Sequence, residues 1–262
     1  MKVMEELRKE IKKTQIVIPV GGHGKRLGYQ DTPKALIKVA GKTLIEREIE
    51  LYRDCGFTDY KLLIGYLGDK IKDYLGDGRR LNVKIQYCED PKVKEKGKGK
   101  ALKNAIEKGI IEKNRRTIIT FPDDIKLNRF LPIMLLAHHI HGYERYGTVA
   151  TVLLISSTTY PYGTAKIDNY GRIEQFIEKP QIHILTNVGV CVMEPQTYDL
   201  IKKLIKIDDP KPIEYEKVIL PKIAEDRKLY SMIIQGDDKE EWIPVNTRKE
   251  LERAEKILLR TK

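Results

Sequence analysis

Apolar and polar positions follow two alternating periods through the first half of the chain. Short apolar runs such as "QIVIPV" (15–20) and "YKLLIGY" (60–66) have the length and β-branched content of buried strands. Between them, "KTLIEREIELYRDCG" (42–56) places apolar residues at helical spacing and ends on Gly56, a residue type that often terminates helices. Further elements of the same kind follow: a helix near 69–76, a strand near 83–89, a helix near 100–110 and a strand near 117–121. This βαβαβαβ order predicts a parallel sheet with helices on both faces.

From about Thr148 the pattern changes to strand-like segments with little helix between them. A hairpin turn is predicted at 169–171, and the later elements are two helices near 196–207 and 215–225, a strand near 229–236 and a closing helix from Thr247. No proline-rich or low-complexity linker separates the two patterns. We therefore expect a charged helical extension over 1–13 and a single domain over 14–262, with a first half of about 14–147 and a β-rich half of about 148–262.

Composition narrows the class of protein. The 262 residues include 49 Lys and Arg against 38 Asp and Glu, a net charge of +11 that suits a polyanionic partner, either nucleic acid or a smaller polyphosphate. The 33% of charged residues is also typical of proteins from thermophiles. The apolar runs are too short for a membrane span, and the charged N-terminus lacks the apolar core of a signal peptide, so we expect a cytoplasmic protein. The cysteines Cys55, Cys88 and Cys191 are odd in number and widely spaced, which predicts buried packing residues rather than disulfides or a zinc site.

The glycine-rich stretch "VIPVGGHGKRLGYQDTPKALIKV" (17–39) follows the first strand, and two well-known glycine motifs do not fit it. A P-loop requires glycine where Pro19 stands and a hydroxyl residue where Arg26 stands. A dinucleotide-binding fingerprint requires glycine in place of Leu27 and a helix that Pro33 would interrupt.

A third interpretation suits the same residues. Gly21, Gly22 and Gly24 allow backbone amides to approach phosphate oxygens at the end of a parallel strand. Arg26 offers a forked donor to the same oxygens, and Lys34 behind the proline can add a second positive charge. The sequence therefore predicts a phosphate-binding loop.

The run "GGHGKRLG…TPKALIKVAGKTLIE" resembles the signature of the sugar-phosphate nucleotidyltransferases, Gly-Gly-x-Gly-x-Arg-Leu followed by Pro-Lys. Lys25 departs from the threonine more common in that family. The resemblance implies an α/β fold, a Rossmann-like three-layer α/β/α arrangement around a mixed, mostly parallel sheet. It also implies Mg²⁺-dependent transfer of a nucleotidyl group from a nucleoside triphosphate to a sugar 1-phosphate. The first half would bind nucleotide and the second half sugar.

Further motifs agree with the resemblance on the nucleotide side. In "YCEDPKVKEKGKGKALKNAI" (87–106) the family pattern of a glutamate followed by a Gly-x-x-x-Ala segment matches Glu89, Gly97, Gly99 and Ala101. These residues join Gly21, Gly22 and Gly24 as predicted nucleotide contacts.

The expected metal ligands match the family pattern less closely than the nucleotide contacts do. In "TIITFPDDIKL" (117–127), Asp123 follows a buried strand and Asp124 comes next, a carboxylate pair suited to Mg²⁺ shared with phosphates. The family's second aspartate, in a Trp-x-Asp pattern, is replaced by Pro244, and Asn246 lies nearby. Either Asn246 substitutes as a ligand, Asp124 contributes, or the activity is altered.

On the sugar side, "PYGTAKIDNYGRIEQFIEKP" and "TNVGVCVMEP" resemble the family's sugar-binding blocks. The resemblance implies sugar contacts by Gly163, Glu178, Asn187 and Gly189, and Lys179 facing the sugar phosphate. Arg26, Lys34, Asp123 and Lys179 are thereby the predicted catalytic residues.

The expected partners are a nucleoside triphosphate and a sugar 1-phosphate, with no nucleic acid, no membrane and a homo-oligomer as an open alternative. Similarity of "FPDDI" and "GKGKA" to the uridylyl- and thymidylyltransferase versions favours UTP or dTTP with glucose 1-phosphate. Alternatives are a cytidylyltransferase for phosphocholine or inositol phosphate, a non-catalytic subunit that binds nucleotide sugars, and, on charge alone, a nucleic-acid-binding protein. His138, His139 and His141 are interpreted as capping residues near the end of a helix that begins around Asn128.

Overall fold

The structure, a computed structural model, describes residues 2–22, 27–29, 31–236 and 241–260. Over these residues the strands are β1 Thr14–Pro19, β2 Lys38–Val39, β3 Lys42–Thr43, β4 Asp59–Ile64, β5 Lys84–Glu89, β6 Arg116–Ile119, β7 Asp124–Lys126, β8 Ala150–Ile155, β9 Thr158–Thr159, β10 Thr164–Ile167, β11 Ile173–Ile177, β12 Gln181–Ile182, β13 Thr186–Met193, β14 Leu229–Ile234 and β15 Trp242–Pro244. The helices are α1 Lys2–Lys12, α2 Leu44–Arg53, α3 Gly68–Leu75, α4 Lys98–Glu107, α5 Leu131–Tyr146, α6 Gln196–Leu204, α7 Tyr215–Glu225 and α8 Arg248–Arg260. Short 3-10 turns occur at Lys34–Leu36 and Arg79–Leu81.

A seven-stranded sheet in the order β14-β8-β13-β6-β1-β4-β5 forms the centre of the molecule. Strand β1 pairs in parallel with β4 and β6, β4 with β5, and β8 with β14. Strand β13 is antiparallel to both of its neighbours, β6 and β8. The predicted mixed, mostly parallel sheet is therefore confirmed, and the β-rich half contributes strands to the same sheet as the first half.

Helices cover both faces of this sheet because successive side chains of a buried strand point to opposite sides. Ile16 and Ile18 of β1 pack with apolar residues of α1, α2, α3 and α5. Val17, between them, belongs to the second cluster, formed with α4, α6 and α7. Each of these three residues is fully buried. The result is the expected three-layer α/β/α arrangement.

A third, smaller apolar cluster lies beside the main core. It joins Ile125 of β7, Ile243 of β15 and Ile257 of α8 to residues near the glycine-rich loop, among them Leu27 and Ile37. Strands β7 and β15 pair antiparallel within it. This packing fixes the segment after β6 next to the segment after β15.

The β-rich half also carries two small ribbons, β9–β12 and β10–β11, that are separate from the central sheet. The β10–β11 ribbon turns at 169–171, where the Asp168 carboxylate accepts hydrogen bonds from the backbone N–H groups of Tyr170 and Arg172. Along β11 every residue is exposed, including Phe176. The ribbon therefore projects from the body of the molecule.

The interpretation of the three histidines as capping residues is wrong. Helix α5 runs to Tyr146 and is capped by Gly147 in the left-handed conformation, so the histidines lie well inside it. His139 is fully buried, with Nδ1 2.8 Å from the Thr151 hydroxyl oxygen and Nε2 3.0 Å from a Glu194 carboxylate oxygen. Burial lowers the pKa of His139, against the opposing effect of Glu194. The sequence predicted that the histidines lie near the helix end, where histidine often caps. The helix continues past them, and its buried face makes His139 a core residue.

The N-terminal segment forms α1, and its Ile11 is buried in the first core cluster. A Glu10 carboxylate oxygen lies 2.9 Å from Nη1 of Arg116, so α1 is tied to the central sheet through β6. The three cysteines are buried. Among the described residues, none of the helices has both the length and the apolar character that crossing a membrane would require.

Candidate active site

A cleft of about 750 Å³ lies at the carboxyl ends of β1, β4 and β6. This end of a parallel sheet is where ligands usually bind, because the loops that follow the strands converge there. The predicted site residues that line the cleft are Gly21, Gly22, Lys34, Gly97, Ala101, Asp123, Asp124, Asn187, Gly189 and Asn246.

The glycine-rich loop enters the cleft directly from β1. The backbone N–H of Val20 still donates to the Leu63 carbonyl at 2.8 Å, which continues the pairing with β4 to the edge of the cleft. Beyond it, a Cβ at Gly22 would meet no atom of the described residues within 4 Å, and Gly22 lines the cleft. Gly24, Lys25 and Arg26 lie outside the described residues, and the predicted roles of Gly24 and Arg26 stay predictions.

Three residues far apart in the sequence converge at one end of the cleft. The Lys34 ammonium donates to Oδ2 of Asp123 at 2.9 Å and to Oδ1 of Asn246 at 2.8 Å. Lys34 begins a 3-10 turn behind Pro33, and Asp123 lies in the turn between β6 and β7. The Val245 N–H donates to the Asp123 carbonyl at 2.8 Å, which brings Asn246 beside Asp123.

The second carboxylate, Asp124, starts β7 opposite Pro244 and also faces the cleft. Although the residue keeps some solvent exposure, its carboxyl group is largely enclosed by neighbouring atoms. Burial, followed by the nearby negative charge of Asp123, raises the pKa of Asp124 to about 7. A bound cation would oppose both effects, because it stabilises the charged form.

These residues fit a magnesium ion by the chemistry of their donors. Mg²⁺ binds oxygen, usually through one or two carboxylates together with substrate phosphates. A carboxylate oxygen of Asp123 and the amide oxygen of Asn246 already converge on one cation, the Lys34 ammonium. Asp124 adds a second carboxylate next to them. Asp123, Asp124 and Asn246 are therefore the residues that would hold the metal.

On the β5 side, the acidic residue that faces the cleft is Asp90 rather than the predicted Glu89. Glu89 ends β5 with its carboxylate 66% exposed and 2.7 Å from the Lys72 ammonium, outside the cleft. Asp90 is 15% exposed, its Oδ2 lies 3.5 Å from the Lys96 ammonium, and burial raises its pKa. A Cβ at Gly65 would come within 2.3 Å of this carboxylate, so glycine there leaves the room that Asp90 needs.

The segment 97–101 forms the entry to α4, and its glycines differ in role. Gly97 and Ala101 line the cleft, whereas Gly99 packs away from it. A Cβ at Gly97 would lie 2.4 Å from the Ile213 carbonyl oxygen, and one at Gly99 would lie 2.8 Å from the same atom. Gly97 also has a positive φ of 110°. Both glycines thus permit close packing against Ile213, and the predicted nucleotide contact of Gly99 has no counterpart in the cleft lining.

The predicted sugar contacts divide into two groups. Asn187 and Gly189 of β13 line the cleft, and Oδ1 of Asn187 accepts a hydrogen bond from the Gly189 N–H at 3.0 Å. Gly163, Glu178 and Lys179 lie at the base of the β10–β11 ribbon and are absent from the cleft lining. Lys179 has a φ of +50°, a left-handed conformation that is uncommon for lysine and disfavoured before a proline.

Sequence reasoning missed several side chains of the cleft. Besides Asp90, they include Lys98 at the start of α4, Phe121 and Glu214. The Lys98 ammonium lies 4.9 Å from the centre of the Phe121 ring and pairs with the Glu216 carboxylate. The position of Asp90 one residue after a strand was a usable signal. Glu214 reaches the cleft only through tertiary packing.

Fold and site together define an α/β protein with a polar cleft at the carboxyl ends of its parallel strands. Comparison with known proteins identifies its family. The chain belongs to the nucleotidyl transferase family, whose model matches residues 15–260. This confirms the family resemblance found in the glycine-rich loop.

The individual relatives that align with this chain have low sequence identity to it. The chain is 28% identical over 225 residues to a mannose-1-phosphate guanylyltransferase catalytic subunit beta of Dictyostelium discoideum, covering 84% of this chain and 58% of that protein. It is 26% identical over 228 residues to the Drosophila melanogaster protein of the same name, covering 85% and 58%. The chain thus spans less than three fifths of the length of these relatives. A Bacillus anthracis structure described as a glucose-1-phosphate thymidylyltransferase in complex with a sucrose shares the fold, with a TM-score of 0.65, 22% identity and coverage of 93% of this chain and 94% of that one.

Proposed function

We propose that this chain transfers a nucleotidyl group from a nucleoside triphosphate to a sugar 1-phosphate and releases pyrophosphate, with Mg²⁺ as cofactor. The observation that carries the proposal is the convergence of Lys34, Asp123 and Asn246 in the cleft at the carboxyl end of the sheet. Membership of the nucleotidyl transferase family supports the reaction type.

In the proposed reaction a phosphate oxygen of the sugar 1-phosphate attacks the α-phosphorus of the triphosphate. The new P–O bond forms as the bond from the α-phosphorus to the bridging oxygen breaks, and pyrophosphate leaves with that electron pair. The nucleophile is already an anion, so no side chain has to remove a proton. The chain's task is to hold two polyanions together against their repulsion.

The residues of the cleft suit that task. Gly21 and Gly22 leave backbone N–H groups able to approach phosphate oxygens, and Lys34 supplies a positive charge in the same cleft. Magnesium held by Asp123, Asp124 and Asn246 would neutralise charge on the reacting phosphoryl group. Arg26 stays the predicted partner of the departing pyrophosphate.

For the acceptor, Asn187 and Gly189 are the proposed contacts within the cleft. Gly163, Glu178 and Lys179 stay predicted contacts on the neighbouring ribbon. The left-handed backbone of Lys179 supports a role for this residue, because strained conformations tend to be kept where they position a functional group.

For the nucleotide, we propose GTP in preference to the UTP or dTTP predicted from sequence, and mannose 1-phosphate in preference to glucose 1-phosphate. The relatives are named mannose-1-phosphate guanylyltransferases, which supports both choices. Asp90 supports the base independently. Guanine presents adjacent N1–H and N2–H donors that one carboxylate can accept together, whereas uracil and thymine present one N–H between two carbonyl oxygens.

Pyrophosphate release tests the proposal, using GTP, UTP, dTTP and CTP, each with mannose 1-phosphate, glucose 1-phosphate, phosphocholine and inositol phosphate. We expect the highest rate with GTP and mannose 1-phosphate. Asp90→Asn should reduce the preference for GTP by on the order of tenfold to a hundredfold, since one paired base contact is lost. Glu89→Gln changes the adjacent, outward-facing carboxylate and should leave the preference unchanged.

Other outcomes of the same panel would contradict the proposal. A maximum with CTP and phosphocholine or inositol phosphate would indicate a cytidylyltransferase. If no triphosphate and acceptor pair gives pyrophosphate release while GTP still binds, the chain is a nucleotide-binding subunit without catalytic activity.

A further inference from the structure

A buried ion pair lies beneath the turn 120–124 that carries Asp123 and Asp124. Glu48 of α2 is 3% exposed and Lys126 of β7 is fully buried. The Lys126 ammonium donates to both carboxylate oxygens of Glu48, each at 2.9 Å. Neither residue lines the cleft.

The pair also holds the backbone and side chains where this turn begins. The Lys126 ammonium donates to the Phe121 carbonyl at 2.7 Å and lies 3.3 Å from the Thr120 hydroxyl oxygen. The Thr120 hydroxyl in turn donates to the Glu48 carboxylate. Since Lys126 itself follows the turn, these bonds close a short loop around Asp123 and Asp124 and attach it to α2.

Stability alone is a weak reason to keep such a pair. Removing both charges from water costs free energy that their attraction often fails to recover, and apolar side chains of similar volume frequently stabilise a protein more. An ion pair in this place therefore points to a role in geometry.

We infer that Glu48 and Lys126 are positioning residues that hold the turn 120–124 in the shape that directs Asp123 and Asp124 into the cleft. That the pair holds the backbone of the turn does not depend on which reaction the protein catalyses. Its effect on metal binding, in contrast, rests on the proposed function.

The double variant Glu48→Leu/Lys126→Met replaces the pair with apolar side chains and tests this inference. We expect the fold to be retained, because removing the buried charges offsets part of the cost of leaving the Phe121 carbonyl without its Lys126 donor. Hydrogen–deuterium exchange of the backbone amides in 120–124 should be about tenfold faster, because the turn opens more readily. The affinity for Mn²⁺ alone, measured by electron paramagnetic resonance of the free ion, should fall about tenfold, since the ligands lose their common orientation.

Lys61→Met is the matched control. Lys61 is also fully buried and lies 3.0 Å from an Asp59 carboxylate oxygen, at the opposite end of the sheet from the cleft. We expect this variant to change the thermal midpoint without changing exchange in 120–124 or the affinity for Mn²⁺. If the double variant does not fold, Glu48→Gln gives the same comparison with little change of shape, and its expected increase in exchange is about threefold.

A folded double variant with wild-type exchange in 120–124 and wild-type Mn²⁺ affinity would overturn the inference. Faster exchange with unchanged Mn²⁺ affinity would support the backbone role and overturn the effect on the metal site. The variant Asp123→Asn separates this result from a failure of the proposed function. If Asp123→Asn binds Mn²⁺ as tightly as the wild type does, Asp123 is not a metal ligand. The exchange data alone then decide whether Glu48 and Lys126 position the turn.

Discussion

At the scale of single residues, Lys34 lies between a carboxylate and an amide oxygen of the cleft. Its side chain is 15% exposed, and its ammonium is shared between the charged Asp123 and the neutral Asn246. The amide of Asn246 supplies an oxygen but no charge, so the attraction for any cation that binds there must come from the carboxylates of Asp123 and Asp124. Exchanging Asp123 and Asn246, whose side chains have nearly the same shape, tests that division of roles.

Asp123→Asn should slow pyrophosphate release by on the order of a hundredfold to a thousandfold, as expected for losing one charge that stabilises the reacting phosphates. Asn246→Asp should lower the Mg²⁺ concentration that gives half-maximal rate, because it adds a further negative charge to the same site. The double exchange should recover part of the lost rate. These values come from steady-state rates measured across a Mg²⁺ titration.

An Asp123→Asn variant with a normal rate and a normal Mg²⁺ requirement would contradict this assignment. Thermal unfolding of each variant provides the control, since a loss of rate has meaning only when the fold is retained.

At the scale of elements, helix α2 is held at its start by a capping box. The Thr43 hydroxyl accepts from the Glu46 N–H, and the Glu46 carboxylate accepts from the Thr43 N–H at 3.2 Å. Nη1 of Arg80 lies 2.7 Å from the same carboxylate. Burial alone would raise the pKa of Glu46, but hydrogen bonds from Arg80, Tyr74 and Thr43 outweigh it and lower the pKa to about 2.

The folded pKa of Glu46 lies below its ordinary value of 4.5, which fixes the sign of the pH dependence. The ionised carboxylate stabilises the fold fully above pH 4.5, and the effect is lost as the pH falls toward 2. Glu46→Gln keeps a side chain able to complete the capping box but removes the charge. We expect it to lower the free energy of unfolding by about 1–2 kcal/mol at pH 7.

Urea unfolding at pH 7 and at several values between pH 4.5 and 3 measures this difference, which should narrow as the pH falls. Glu6→Gln, at an exposed position of α1, should show no comparable trend. A difference that stays constant with pH would mean that the charge of Glu46 contributes nothing.

Elements also explain why the local pattern located Asp123, whereas Asn246 was named only through the family resemblance. Strand β6 is a clear apolar run, and the residue after it was predictable as a cleft residue. Strands β7 and β15 have only three residues each, and their pairing joins positions separated by more than a hundred residues. No local periodicity predicts such a pairing, and it is this pairing that brings Asn246 to Asp123. The shift from Glu89 to Asp90 has a different, local cause, because Asp90 is the first residue after β5 and that position was readable from the sequence.

At the scale of the whole molecule, the cleft gathers residues from both halves of the chain. Gly21 and Asp90 come from the first half, and Asn187 and Asn246 come from the second. A ligand that spans the cleft would therefore connect both halves of the sheet and stabilise the entire fold.

We expect GTP with Mg²⁺, at about a hundred times its dissociation constant, to add about 2.7 kcal/mol to the free energy of unfolding. For a domain of this size that corresponds to a rise of roughly 5–10 °C in the thermal midpoint. Differential scanning calorimetry measures the change. Inorganic phosphate at equal ionic strength is the control, because a net charge of +11 attracts anions without specificity.

An equal rise with phosphate would indicate non-specific anion binding. No rise with GTP or with any other nucleoside triphosphate would contradict nucleotide binding in the cleft.

The sequence by itself determined the longer strands and helices and the position of the glycine-rich loop after the first strand. Each of these depends on the identity of neighbouring residues: apolar periodicity predicts an element, and glycine or proline limits the backbone locally. The family resemblance and the mixed α/β fold could be obtained at that level. The position of His139 could not, because a helix pattern does not reveal how much of the helix will be buried.

Tertiary structure alone decided how the polar side chains of the cleft meet and added ones that the sequence had not indicated, such as Glu214. Lys34 and Asn246 are separated by 212 residues and meet only because the sheet, β7–β15 and the small third core place their backbones together. The same packing buried Glu48 against Lys126 beneath the turn and left Lys179 on a ribbon beside the cleft. Proximity of this kind results from the sum of many long-range contacts, so no short stretch of sequence contains it.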